Sequence, residues 1–305
     1  MDPNDLSLSA FYAHLEGTGL VRRLLELARD EDLGPDLDDV TTRVLGLRGS
    51  IDVALRTREP ARVAGLACLP LLVEVFDVDV DVTLETSDGA DVETGATLAT
   101  FRGEVSGVLR LERTMLNLVG RLCGIATRTA SFVERASGAA ILDTRKTTPG
   151  LRVFEKYAVR CGGGTSHRLG LHDAVLVKDN HLASLGDLQA LGAVDGDASK
   201  VAFNIASNIA SNIAFVEVEV DTLAQFDQVL ERTDVDIVLL DNMSDEDLRE
   251  AVRRRDARAP TIGLEASGGV TLERVPSIAS TGVDRISVGS LTHGARSIDV
   301  GLDAL

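Results

Sequence analysis

Between Ile51 and about Phe101 apolar and polar residues alternate with the period of a strand, most plainly in VDVDVTLET (78–86). Turn signals at Asp88-Gly89, Gly95 and Gly103 break this run into short, β-like pieces. Ahead of it, Leu20, Leu24, Leu25 and Leu27 stand among charged residues at helical spacing, and the helix they predict ends in the turn-rich EDLGPDLDD (31–39). Together the two patterns predict a small α/β domain. Residues 111–137, LERTMLNLVGRLCGIATRTASFVERAS, keep helical periodicity throughout and predict a long helix leading out of it.

Six short apolar runs follow, each ending in polar residues: AILDTRK (140–146), AVLVKDN (174–180), FVEVEVD (215–221), DIVLLDN (236–242), TIGLEASGG (261–269) and RISVGS (285–290). Segments between them, such as SDEDLREAVRRRD (244–256), are helical in pattern. Strands alternating with helices imply parallel βα units. Polar residues gathered where successive strands end are the mark of an α/β barrel, whose chemistry sits on its C-terminal face. Six strands are fewer than a closed barrel needs, so either the barrel is incomplete or some strands carry no signal. One segment breaks the pattern: in FNIASNIASNIAF (203–215) the triplet Asn-Ile-Ala recurs every four residues. A helix would stack Ile205, Ile209 and Ile213, but Asn and Ser favour a surface loop comparably well.

Composition narrows the setting. No apolar run approaches the roughly 18 residues that cross a bilayer, and MDPNDLSLSAFYAHLEG lacks the basic start and apolar stretch of a signal peptide, so a cytoplasmic protein is expected. Cys68, Cys123 and Cys161 are far apart and without CxxC spacing, which predicts small buried hydrophobes rather than disulfides or a zinc site. The formal net charge of −17 argues against nucleic acid or an anionic membrane as partner, so any anionic ligand must meet a local exception. Lysine is scarce. Three of the four, Lys146, Lys156 and Lys178, fall in one stretch, either by chance or because compact ammonium groups are needed there.

That stretch, 143–181, carries seven Lys/Arg against four Asp/Glu and three of the five histidines. Arg145 and Arg168 can each grip a carboxylate through two hydrogen bonds, whereas Lys146 and Lys178 offer point charges suited to phosphate. Surface ion pairs are the bland alternative, disfavoured for Arg145, Lys146 and Lys178 because they directly follow apolar strands. Ser267-Gly268-Gly269 and Gly289-Ser290 follow the last two strands, where barrels commonly hold a phosphate. The run Cys161-Gly162-Gly163-Gly164 is either an anion nest or a turn. Glu219 and Asp241 end consecutive strands, as magnesium or ribose ligands or as ordinary caps. No GxSxG, HExxH or Walker A motif occurs.

Seven segments resemble one family, the quinolinate phosphoribosyltransferases: LERTMLNLVGRLCGIAT (111–127), ILDTRKTTPGLRVFEKYAVRCGGG (141–164), HRLGLHDAVLVKDNH (167–181), VEVEVD (216–221), LLDN (239–242), LEASGGV (264–270) and ISVGSLTHG (286–294), with DDVTT (38–42) a weaker echo. The resemblance implies an N-terminal α/β sandwich, 1–113, and an open α/β barrel, 114–305, whose C-terminal tail packs back on the first domain. It implies transfer of phosphoribosyl from phosphoribosyl pyrophosphate (PRPP) to quinolinate with loss of carbon dioxide. Arg113, Arg145, His167, Arg168 and Lys178 would surround quinolinate, with Arg113 coming from the partner subunit of a homodimer or higher oligomer. Thr144, Lys146, Lys178, Glu219, Asp241, Ser267, Gly268, Gly269, Val288, Gly289 and Ser290 would hold PRPP. Glu219 and Asp241 would share its Mg2+, and Lys146, Lys178, Glu219 and Asp241 would carry the catalysis, with no organic cofactor. The 203–215 repeat lengthens one connection relative to the family pattern. Two competing readings remain: a phosphoribosyltransferase for another acceptor, such as nicotinate or that of the paralogue encoded beside molybdate transporters, and a non-catalytic sensor of a phosphorylated ligand.

Overall fold

The computed structural model describes residues 2–178 and 213–305. The chain packs as two compact units that alternate along it. One comprises Pro3–Ser131, Lys146–Gly164 and Gly289–Leu305, and the other Met1–Asp2, Phe132–Arg145 and Thr165–Val288.

In the first, antiparallel unit, α1 (Leu8–Gly17) and α2 (Leu20–Leu33) are followed by α3 (Val40–Leu45), β1 (Ser50–Thr57), β2 (Ala61–Arg62), α4 (Leu69–Phe76), β3 (Val80–Leu84), β4 (Asp91–Val92) and β5 (Thr97–Glu104). α3 starts where it does because the Asp39 carboxylate accepts from the N–H groups of Thr41 and Thr42, a side-chain N-cap. The β-like reading of 51–101 needs one correction: LPLLVEVF is the helix α4. Eight nearly all-apolar residues have no readable period, and Pro70 at its first turn favours the helix.

The long helix predicted over 111–137 is α5 (Val105–Arg135), and residues 113 and 114 lie within it. It buries Leu111, Met115, Val119, Leu122 and Ala126 along one stripe. Further along the chain the antiparallel unit also takes in α6 (Arg152–Cys161), α10 (Ser290–His293) and β12 (Val300–Ala304). The segment before β12 runs close along α5: a Cβ at Gly120 would stand 2.7 Å from the Ile298 carbonyl oxygen, and one at Gly124 would overlap that of Arg296. β12 then pairs antiparallel with β1, giving the sheet order β12-β1-β5-β3.

The second, parallel unit holds the other strands: β6 (Ala140–Leu142), β7 (Val175–Val177), β8 (Val216–Val220), β9 (Ile237–Asp241), β10 (Gly263–Ser267) and β11 (Arg285–Ser287). Three helices, α7 (Leu223–Val229), α8 (Asp245–Arg258) and α9 (Val275–Ala279), link the last four. These strands are the six apolar runs of the sequence. All their pairings are parallel, in the order β6-β11-β10-β9-β8-β7. The first strand pairs with the last, as in a barrel cut open between β6 and β7. Thr222 and Gln225 form a reciprocal cap at α7, and Ser244 caps α8, so each helix begins as soon as its strand has ended. Most of the Asn-Ile-Ala repeat lies outside the described residues. The chain resumes at Ile213, and β7 and its approach receive it through Ala214 N–H to Asp173 O at 2.8 Å and Val175 N–H to Phe215 O at 3.1 Å.

Candidate active site

Parallel register places Glu219, Leu239, Glu265, Arg285 and Ala140 in one row across β8, β9, β10, β11 and β6. Because side chains alternate, Glu217, Glu219 and Asp241 share this face of the sheet with Ser267 and Ser287. Such a face normally fills with Val, Ile and Leu. Here Glu217 and Glu265 are fully buried and Glu219 nearly so. Burying a carboxylate costs several kcal/mol unless it is paired, so a row of them marks a functional face.

The loops over this face are tied down by backbone groups. After β6, Thr144 and Arg145 leave a buried Asp143 that accepts the His167 N–H at 3.0 Å. Thr165 N–H donates to Ile141 O at 2.7 Å, and Val288 N–H to Leu142 O at 2.9 Å. Asp173 accepts from the N–H groups of Leu169 and Gly170, closing the turn that carries Arg168. The Arg168 side chain is buried and donates to Ala174 O at 3.3 Å. Burial, and then the nearby charge of Arg145, hold its guanidinium below the usual arginine range, against the pull of Asp173 and Glu217. Lys178, just past β7, is ion-paired with Glu219.

At the end of β9, Asn242 takes a left-handed conformation, φ 54°, and its side-chain amide donates to Asp241 Oδ2 at 2.6 Å. Gly268 has φ +90°, and a Cβ there would overlap the Asn242 side chain, so Ser267-Gly268-Gly269 requires its first glycine for space as well as for conformation.

His167 is buried with its Nε2 3.0 Å from Glu217 and 3.5 Å from Glu265. Burial pulls the imidazole down, but the two carboxylates outweigh it and push it up to about 9. Its Nδ1 accepts the Arg168 N–H at 2.7 Å, which opposes that rise, since an accepting nitrogen has no room for a proton. Burial and the charge of Glu265 raise Glu217. Burial pushes Glu265 the same way, but His167 and Arg285 outweigh it and hold Glu265 low.

Of the expected site residues, Thr144, Arg145, His167, Arg168, Lys178, Glu219, Asp241, Ser267, Gly268, Gly269 and Val288 belong to the parallel unit. Arg113, Lys146, Gly289 and Ser290 belong to the antiparallel unit. There Thr292 Oγ1 donates to Lys146 O at 2.7 Å, and Arg128 reaches Ser290 O at 2.6 Å and Ser290 Oγ at 3.1 Å. Below Lys146 sits a buried Glu155, which accepts from Thr148 N–H at 3.0 Å and from Arg121 Nη2 at 2.8 Å. The same Arg121 grips Thr292 O at 2.8 Å. Arg113, on α5, lines a cavity of about 380 Å³ with Glu31, Asp32 and Asn117.

Models of the N-terminal and C-terminal domains of quinolinate phosphoribosyl transferase match residues 39–123 and 125–303. The chain belongs to the quinolinate phosphoribosyltransferase family. It is 44% identical over 287 residues to the nicotinate-nucleotide pyrophosphorylase (carboxylating) of Mycobacterium leprae, covering 92% of this chain and 96% of that one. It is 35% identical to a probable nicotinate-nucleotide pyrophosphorylase (carboxylating) of Bacillus subtilis, with 93% of each chain covered. Among solved structures, the nicotinate-nucleotide pyrophosphorylase of Francisella tularensis superposes with a TM-score of 0.83 at 32% identity, covering 100% of this chain and 99% of that one.

The three cysteines are structural in their surroundings. All are buried, and burial raises each thiol, Cys123 to about 12, so none is a thiolate at neutral pH. Among the described residues no helix is long and apolar enough to cross a membrane. Sequence reading did not assign roles to Asp143, Glu217, Asn242, Glu265 or Arg285. For Glu217 a signal was present: the alternation in VEVEV puts it on the same face as Glu219.

Proposed function

We propose that this enzyme transfers phosphoribosyl from PRPP to quinolinate and releases pyrophosphate and carbon dioxide, forming nicotinate mononucleotide for NAD biosynthesis. The observation that carries this reading is the cationic set at the strand ends: the buried Arg168, with Arg145 on the same unit, and the Lys178–Glu219 ion pair. Two arginines of one unit suit a dianion, because a dicarboxylate can present one carboxylate to each. Quinolinate offers a carboxylate to each guanidinium, whereas nicotinate offers only one.

In the reaction the pyridine nitrogen attacks C1 of the ribose as pyrophosphate departs, so positive charge develops on the sugar and negative charge on the leaving group. Lys146 and Lys178 meet the pyrophosphate, while Glu219 and Asp241 face the cationic sugar. The C2–carboxylate bond then breaks, carbon dioxide leaves, and the pyridinium stabilises the electron pair until C2 takes a proton. Glu219 and Asp241 offer hard carboxylate oxygens from consecutive strand ends on one face of the sheet, so the pair fits Mg2+ held jointly with PRPP. When bound, magnesium neutralises charge on the leaving pyrophosphate. Arg113 completes the quinolinate pocket of the partner subunit in a homodimer. A polyanionic sugar does not cross a bilayer, which supports a cytoplasmic setting.

The test is an assay with PRPP, Mg2+ and either quinolinate or nicotinate. Nicotinate mononucleotide and carbon dioxide in equal amounts, from quinolinate only, are expected. Turnover of nicotinate at a comparable kcat/KM would move the enzyme to another acceptor, and binding of PRPP without turnover of either would favour a sensor.

A further inference from the structure

The buried charges behind the strand-end cations have no part in the reaction as described, and their geometry gives them one. Glu217 and Glu265 come from β8 and β10, with Leu239 of β9 between them, and both converge on His167 Nε2. Glu265 also holds Arg285 through Nε at 3.0 Å. Phe215 packs edge-on to the His167 ring at 5.4 Å, and the Arg285 guanidinium lies over the same Phe215 ring, also at 5.4 Å. The imidazole is thus held from both sides: Nε2 faces two carboxylates that favour its protonation, while Nδ1 accepts the Arg168 N–H at 2.7 Å, a contact that only the neutral ring protonated on Nε2 can make and that works against the rise the carboxylates impose. Asp143 fixes the backbone on the other side of the ring, through the His167 N–H.

We propose that Glu217, Glu265 and Arg285 are positioning residues that orient His167 and, through the Nδ1 contact, the backbone of Arg168, so that the Arg168 guanidinium is held ready for quinolinate. The role rests on the assignment of Arg168 to quinolinate made above. Apolar residues of similar volume would make a more stable core at lower cost, so two fully buried carboxylates on one ring, one of them paired with a partly buried Arg285, have a positioning use. His167, Glu217 and Glu265 also lie within 4.8 Å of one another, a spacing that a metal ion can use. In the positioning role His167 Nε2 pairs with Glu217 at 3.0 Å and Arg285 Nε with Glu265 at 3.0 Å, and metal binding is the outcome that would replace it.

Glu217→Gln removes a charge without removing volume. Glu265→Gln alone strands Arg285, so the double variant Glu265→Gln/Arg285→Gln is made beside it. Calorimetry measures quinolinate and PRPP affinity separately, and 15N imidazole shifts report the His167 tautomer. Expected are the Nε2–H tautomer in the wild type, a mixed tautomer in both variants, and quinolinate affinity lower by about ten-fold or more, with PRPP affinity within about two-fold. Equal losses for both ligands, or quinolinate binding within two-fold of wild type, would overturn the positioning role. So would stoichiometric Zn2+ or Mn2+ binding by the wild type that Glu217→Gln abolishes. A wild type that binds no quinolinate would instead overturn the assignment of function on which the role rests.

Discussion

Arg168 shows how much a single residue type decides. Lysine keeps the charge but not the planar fork, so it cannot reproduce two parallel hydrogen bonds to one carboxylate. Arg168→Lys is expected to weaken quinolinate binding by about 1.5–3 kcal/mol, the range for hydrogen bonds to a charged group, while leaving PRPP affinity nearly unchanged. Calorimetry with each ligand alone checks this, and equal weakening of both would remove Arg168 from the carboxylate clamp. Of the candidate site residues, Lys178, Glu219 and Asp241 could be picked out in the sequence because they end apolar runs, where a polar residue has few other reasons to recur. Asp143 and Asn242 were not legible. Each works on a backbone group or a neighbour's carboxylate, a local bond that leaves no pattern. Glu265 was hidden for a different reason: its partners, His167 and Arg285, meet it only when β10 and β11 are paired and the 166–174 turn folds over them.

At the scale of elements, all six parallel strands could be read from their apolar runs, because a strand buried on both faces has little choice of residue. What could not be read was α4, where an apolar octet fits either state, and the close track of the C-terminal segment along α5. That track depends on two glycines one helical turn apart, whose meaning appears only when Ile298 and Arg296 arrive. Gly124→Ala forces the Arg296 carbonyl away and is expected to destabilise by about 1–3 kcal/mol, the usual cost of overpacking. Gly17, in α1, has open space around it and no left-handed backbone, so Gly17→Ala should stabilise, by up to about 1 kcal/mol. Denaturant midpoints at constant slope measure both, and the same sign for the two would show that the contact at Gly124 is relieved at little cost. The Arg121–Glu155 pair belongs to this scale too. It ties α5, α6 and the residue 292 carbonyl together beneath the segment that begins at Lys146.

For the whole molecule the first expectation concerns assembly. If Arg113 serves the partner's site, mixing inactive Arg113→Ala with inactive Lys146→Ala protein creates dimers in which one site has both residues and the other neither. Activity should return as subunits exchange, and exchange without activity would place the whole site in one chain. The second expectation concerns charge. The sequence has 48 acidic residues against 31 basic ones, and its exposed arginines are largely matched to carboxylates, as in Arg58–Asp303, Arg102–Asp52 and Arg296–Glu59. Exposed pairs of this kind contribute little, so salt has little to remove there. The excess of acid remains, and its self-repulsion acts against the compact state over about 10 Å at 0.1 M salt and about 3 Å at 1 M. Added salt should therefore raise the thermal midpoint of the ligand-free enzyme. The strand-end cations respond oppositely, because the attraction that draws in a polyanionic substrate is screened by the same ions. Across about 0.05–1 M NaCl, Tm should rise while KM for PRPP also rises. A Tm that stays flat or falls would mean that the surface pairs outweigh the net charge, and the acidic composition would then have no bearing on stability.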